Sequence, residues 1–216
     1  SERQGMSDEL KRGLEGVLVA ESELSHVDGE AGKLVYRGYD IEDLARGASY
    51  EEVLYLLWHG SLPTREELDA FTTELAAERP VDDDVLDTVQ TLADAGERPM
   101  AALRTTTSML SAYDPEGNVD EGDDGPTETA RRQGRRITAK IPTVLAAFER
   151  ARQGEEPVSP DPDLSYAGNF LYMLTGTEPD AVSEETFDMA LTLHADHGLN
   201  ASTFTAMVIG STMADV

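Results

Sequence analysis

"SYEEVLYLLWHGSLPTREELDAF", Ser49 to Phe71, contains two helix starts in quick succession. Ser49 and Glu52 stand at the spacing of a capping box, in which the serine side chain accepts from the third helical amide and the glutamate reaches back to the serine amide. Thr64 and Glu67 repeat the arrangement directly after Pro63. A little upstream, "DIEDLA" opens with Asp40, a good N-cap residue. Three starts in so short a span predict a compact array of helices.

Moving outward, apolar residues recur at helical spacing: Leu68, Phe71 and Leu75; Val85, Val89 and Leu92; Met100, Leu103, Thr107 and Leu110; Ile137, Ile141, Leu145 and Phe148. Each set is expected to form one buried stripe. Pro80, Pro99 and Pro115 mark helix boundaries, and Pro142, inside a helical pattern, predicts a kink or a new start. "GEEPVSPDPDL", Gly154 to Leu164, reads as a proline-stiffened loop. After it come a helix through Ala167, Phe170, Leu171 and Leu174, then another starting after Ser183 as N-cap and carrying Phe187, Ala190, Leu191 and His194 on one face beside the core. Strand signals occur only early, where "GVLVAES" (Gly16 to Ser22) and "KLVYRGY" (Lys33 to Tyr39) flank a segment containing "DGEAG", as in a short hairpin. The fold expected from pattern alone is mostly helical, with that hairpin at its N-terminal end.

Composition narrows function. The 216 residues include 43 Asp plus Glu against 17 Lys plus Arg, a formal charge of -26. Such a field repels nucleic acid and anionic membrane surfaces, so neither is an expected partner. The acids occupy polar positions of periodic apolar segments, which argues for a folded protein with an acidic surface. That surface suits a halophilic cytoplasm, where the Debye length falls to about 3 Å at 1 M salt. With no cysteine, thiolate nucleophiles, thiolate metal sites and disulfides are excluded. No apolar run reaches the length of a membrane span and no signal peptide is evident; the expected location is the cytoplasm. Arg131, Arg132, Arg135, Arg136 and Lys140 form a basic run beside the acidic stretch Asp114 to Glu128, and are expected to face that stretch or solvent rather than a phosphate.

The chemistry-bearing residues gather late, in "LHADHGLNASTFTAM", Leu193 to Met207. His194 and His197, three apart, either share a helix face or bracket a turn. A metal site is not expected: HExxH is absent and further nitrogen ligands are few. A serine hydrolase is not expected either, since no Gly-x-Ser-x-Gly elbow occurs. Two readings stand on the residues alone. The group is a helix junction whose polar side chains satisfy one another, or it is a pocket for a small carboxylate, with imidazoles beside the free amides of a helix starting at "NASTF".

The blocks "LVYRGYDIEDLA", "SYEEVLYLLWHGSLPTREELDAF", "PMAALRTTTSMLSAYDP", "NFLYMLTGTEPD" and "LHADHGLNASTFTA" together resemble the citrate synthase family, in the family's order, from about Gly16 onward. The resemblance implies an all-α, citrate synthase-like helical bundle with a short N-terminal β-hairpin. Residues 1–15 would be an extension, and residues 16–216 an incomplete large domain without the small domain. It further implies a homodimer of the tricarboxylic acid cycle that condenses acetyl-CoA with oxaloacetate. Acetyl-CoA is a substrate, and no cofactor or metal is implied. His197 would hydrogen-bond oxaloacetate, His194 would line the floor of that pocket, and Asn200 would be a further substrate-binding residue.

The resemblance also shows two departures. Relatives often read "HADHELN", whereas this chain has Gly198, which removes a side-chain acceptor beside His197 and is expected to loosen the backbone. The family's "GPLHGGAN"-like and "GHRVY"-like blocks, with the histidines that stabilise the enolate and polarise the oxaloacetate carbonyl, do not occur, nor does the later aspartate that removes the methyl proton. Catalytic residues are therefore expected beyond Val216, and the 216 residues alone are expected to be inactive. Two further functions fit the same blocks: a 2-methylcitrate synthase using propionyl-CoA, and a non-catalytic acidic helical dimerisation module. The acidic surface predicts that the melting temperature rises from dilute buffer to molar potassium chloride; a protein equally stable in dilute buffer would overturn the halophilic reading.

Overall fold

A computed structural model describes residues 22–29, 31–115, 126–198, 202–203 and 205–206, with the side chains of 126 and 127 excepted. A small antiparallel sheet comes first, of strands β1 (Ser25–Asp28), β2 (Lys33–Tyr36) and β3 (Tyr39–Asp40) in that order. The expected ribbon is present with a different first strand: β1 is "SHVD", in register Ser25 to Tyr36 and His26 to Val35. Of the expected strand Gly16–Ser22, only Ser22 lies within the described residues, and it is not in a strand. Gly29, Ala31 and Gly32 of "DGEAG" lie in the turn, closed at its start by the Ala31 amide donating to the Asp28 carboxylate at 2.9 Å. Arg37 and Gly38 link β2 to β3 with φ of 47° and 91°, the two-residue hairpin geometry that matches strand twist.

The helices follow as α1 (Ile41–Gly47), α2 (Tyr50–His59), α3 (Arg65–Ala77), α4 (Asp83–Asp94), α5 (Pro99–Leu110), a 3-10 turn Ser111–Tyr113, α6 (Pro126–Arg152), α7 (Tyr166–Thr175) and α8 (Ala181–Leu193). Their starts follow from local chemistry. Asp40 accepts from the Glu42 amide, and both capping boxes, Ser49 with Glu52 and Thr64 with Glu67, are complete. Pro99 sits in the first turn of α5, where its missing donor costs nothing.

Two apolar stripes differ from expectation. Met100 is 73% exposed and Ile137 38%, while buried positions on the same helices include Ala102, Thr106 and Leu110 on α5, and Ala139, Val144, Ala146, Ala147 and Phe148 on α6. The contact of α4, α5 and α6 is filled by Val85, Val89, Ala102, Leu110, Val144, Ala147 and Phe148, so each stripe is covered at its C-terminal end, while Met100 and Ile137 at its N-terminal end stay exposed. A second core cluster joins Tyr36, Leu44, Val53, Leu56 and Leu57 beneath the sheet, and a third joins Leu54, Phe71, Leu75, Ala139 and Tyr166.

Pro142 neither ends α6 nor starts a new helix; the helix runs through it for about 40 Å at 1.5 Å per residue. Proline has no amide to give the carbonyl four residues back, that of Thr138. The Tyr166 hydroxyl donates to this carbonyl at 2.8 Å. Tyr166→Phe keeps the buried ring and its 5.0 Å contact with Tyr50 but leaves that carbonyl unpaired. The substitution should cost about 1–3 kcal/mol in chemical denaturation; wild-type stability would mean that solvent replaces the hydroxyl without loss.

Candidate functional site

The segment carrying the histidines is delivered by α8. This helix begins three residues before the expected start, because Asp180 and not Ser183 is its N-cap: the Asp180 carboxylate accepts from the Val182 and Ser183 amides, both at 3.0 Å, and Ser183 donates its hydroxyl to the same carboxylate at 2.8 Å. A carboxylate is favoured over a hydroxyl at a helix N-terminus by the helix dipole. Phe187 stacks on Phe170 of α7 with centroids 5.2 Å apart. Asp188 fixes α8 to α2, since both of its oxygens lie 3.1 Å from the Tyr50 amide, the first of α2.

Beyond Leu193 the chain turns back onto the sheet. The Tyr36 hydroxyl lies 3.4 Å from the Leu193 carbonyl and 3.3 Å from the Asp196 carbonyl, and accepts from the Asp196 amide at 3.3 Å. Ser25 donates its hydroxyl to the Asp196 carboxylate, which also accepts from the Gly198 amide at 2.8 Å. Ala195 packs against the core cluster that contains Tyr36. Asp196 is thus a turn-forming side chain, closing an Asx turn over His197.

His194 is the C-cap of α8 and is exposed, not set beside the core as the helical pattern suggested. The helix ends there, so the ring leaves the apolar face and folds over its own last turn, with Nδ1 2.6 Å from the Ala190 carbonyl. A carbonyl only accepts, so Nδ1 is the donor in this contact. His197 is also exposed, at the turn held by Asp196. Neither ring is packed in hydrocarbon. Asn200 lies outside the described residues; Ser202 and Thr203 are helical, in line with a helix beginning near "NASTF".

Gly198 has φ +70°, a left-handed conformation that costs other residues about 1–2 kcal/mol. Among the described residues a Cβ there would meet only Ser25 Oγ, at 4.0 Å. Rather than loosening the turn, the glycine adopts the backbone conformation that the turn requires, with its amide bonded to Asp196.

Ser25 and Tyr36 were not legible as parts of this site, because 160 or more residues separate them from Asp196. The only local signal was an aspartate two residues before a glycine, a turn pattern. The basic run on α6 is occupied by neighbours: Arg131 and Arg136 pair within the acidic stretch as expected, whereas Arg135 and Lys140 reach α3 and the residues after it. Arg136, 5% exposed, makes a two-pronged pair with Asp114 at 2.9 and 2.8 Å; Arg131 pairs with Glu128, Arg135 with Glu74, and Lys140 donates to the Glu78 and Pro80 carbonyls. Among the described residues no three His, Asp or Glu side chains gather as a metal site, and no helix is long and apolar enough to cross a membrane.

The fold and loop define a helical-bundle protein that presents two imidazoles on a turn braced by an N-terminal ribbon. The sequence model described as "Citrate synthase, C-terminal domain" matches residues 13–216. Over 211 residues the chain is 64% identical to the citrate synthase of Haloferax volcanii, covering 98% of this chain and 55% of that protein. It is 39% identical to a 2-methylcitrate synthase of Mycobacterium tuberculosis, covering 96% and 51%. The crystal structure of the citrate synthase from Pyrobaculum aerophilum matches with a TM-score of 0.86 at 39% identity, covering 94% of this chain and 51% of that one. The chain belongs to the citrate synthase family. It spans about half the length of the curated relatives it matches.

Asp188 makes the α2–α8 junction pH-sensitive. Burial, then the charges of Glu51, Glu184 and Glu52, push its carboxyl up to about 6, against the opposing bond from the Tyr50 amide. The folded value lies above the unfolded one, so the native state binds the extra proton between about pH 4 and 6. Stability on this account falls as pH rises through that window, and ionised Asp188 is a net cost at pH 7. Asp188→Asn keeps an acceptor for Tyr50 and should add about 1 kcal/mol at pH 7 once solvent screening of this half-buried group is allowed for. The gain should vanish near pH 4; a variant that is destabilised at pH 7 would show that the charge itself holds the junction.

Proposed function

We propose that this chain is part of a citrate synthase, condensing acetyl-CoA with oxaloacetate to give citrate and CoA in the tricarboxylic acid cycle, with His197 hydrogen-bonding oxaloacetate, His194 lining the pocket floor and Asn200 contributing to it. The observation that carries this reading is the braced turn at the end of α8, which leaves both imidazoles exposed while fixing the backbone that bears them. Condensation requires the oxaloacetate to be held still while a base and an enolate-stabilising donor act on the thioester. The braced loop suits the holding role. The proton transfers are assigned to no residue of this chain.

Identity to the Haloferax enzyme favours acetyl-CoA over propionyl-CoA, and together with the acidic composition it supports work in concentrated salt. A cytoplasmic homodimer completes the proposal. Its support is two exposed apolar side chains, Met100 on α5 and Ile137 on α6, of the size that obligate interfaces bury. The same two side chains would serve a purely structural dimerisation module. Calorimetric titration with oxaloacetate separates the two: His197→Ala should weaken binding about 10- to 100-fold, the loss of one hydrogen bond to a charged group. Equal affinity of variant and wild type would leave the dimerisation module as the better reading.

A further inference from the structure

We propose that Tyr36, supported by Ser25, is a positioning residue for the imidazole pair, acting through the backbone of Leu193 to Asp196; its bearing on oxaloacetate rests on the function proposed above. The ring is fully buried, packed with Leu44, Val53, Leu56 and Leu57, so its place is set by the core. Its hydroxyl touches both ends of a four-residue segment, the last residue of α8 and the residue before His197. His194 lies within that segment. One proton serves two carbonyls, and the oxygen accepts one amide, so a single group sets the path of the chain between the two histidines. Burial raises the hydroxyl above its ordinary value, which keeps it a donor at all physiological pH.

The ribbon adds a second hydroxyl from the neighbouring strand. Ser25 is the direct register partner of Tyr36, and it holds the Asp196 carboxylate that closes the turn over His197. The ribbon in turn is tied to α2: Arg37, in the left-handed region at φ 47°, donates to the Leu57 carbonyl at 3.2 Å, one of the last carbonyls of that helix. A non-glycine residue is held in this conformation only where its surroundings over-determine it. A ring that merely filled the core would serve as well without its oxygen. The hydroxyl adds direction to the loop.

The test is the imidazole NMR spectrum of the 216-residue chain, wild type, Tyr36→Phe and Ser25→Ala, before and after addition of oxaloacetate. His59, stacked on Tyr55 at 4.1 Å on α2, serves as the internal reference. The inference predicts that Tyr36→Phe moves or broadens the His194 and His197 signals, leaves His59 in place, and weakens the oxaloacetate response of His197 about tenfold, the equivalent of one hydrogen bond. Ser25→Ala should move His197 in the same sense, and decides the matter if Tyr36→Phe does not fold. Unmoved His194 and His197 signals in folded variants would overturn the inference. So would an oxaloacetate affinity in Tyr36→Phe equal to wild type, which leaves the proposed function standing. Rings that move on substitution in a wild type that ignores oxaloacetate would support the bracing role and remove the proposed function.

Discussion

The first amides of α2 and α7 have no partner within their own helices, and both are met by carboxylates from elsewhere in the chain. The Tyr50 amide donates to Asp188 of α8, and the Tyr166 amide donates to Glu51 of α2 at 2.7 Å. Because Tyr166 also satisfies the carbonyl released by Pro142, four helices meet at one junction: α2, α6, α7 and α8. Unpaired helix ends are costly when buried, so each of these side chains constrains two elements at once. The path of α8, and with it the position of the histidine turn, follows from this junction.

The same junction concentrates negative charge. Glu51 is 5% exposed, and Glu51, Glu52 and Glu184 lie close enough to act on Asp188. Arg79, 3% exposed, brings a compensating cation: burial lowers its pKa and the charge of Glu51 opposes that. Its guanidinium also donates to the Asp161 carbonyl, which ties the loop before α7 into the network. Removing Arg79 would leave the buried Glu51 charge uncompensated, whereas the exposed acids that make up most of the -26 are individually of little consequence in salt. Dissolved salt thus relieves the surface and leaves the junction dependent on its hydrogen bonds.

Features set by adjacent residues were legible in the sequence. Both capping boxes, the Asp40 cap, the proline boundaries and the turn at "DGEAG" depend on residues within four positions of one another. Features set by packing were not. "SHVD" has one apolar residue, and Val27 is 61% exposed, so β1 is held by backbone pairing that leaves no periodic trace. Met100 and Ile137 are exposed although Leu110 and Phe148 at the other ends of their stripes are buried, because hydrophobic period reports which residues share a face and not how much of that face is covered. Asp180 displaced Ser183 as a cap since both are acceptable and a carboxylate suits the dipole better. Of the site itself the histidine block was legible, while the contacts bracing it, from Ser25 and Tyr36, cross most of the chain.

The bracing of that turn is chemically suited to an acidic protein in concentrated salt. Exposed ion pairs lose strength as salt screens them, and a loop fixed by such pairs would change shape with ionic strength. Here the donors to the turn are neutral: the hydroxyls of Ser25 and Tyr36 and the amide of Gly198. Asp196 brings a charge, and among the described residues it is met by the Ser25 hydroxyl and the Gly198 amide. Tyr36 is anchored in hydrocarbon, where ions do not reach, and Gly198 adopts the left-handed bend that the turn demands of its residue. The imidazoles can then stand exposed without their backbone responding to the ions around them. The shape of the turn becomes a property of the core beneath the sheet, and salt acts on the surface charge more than on that shape.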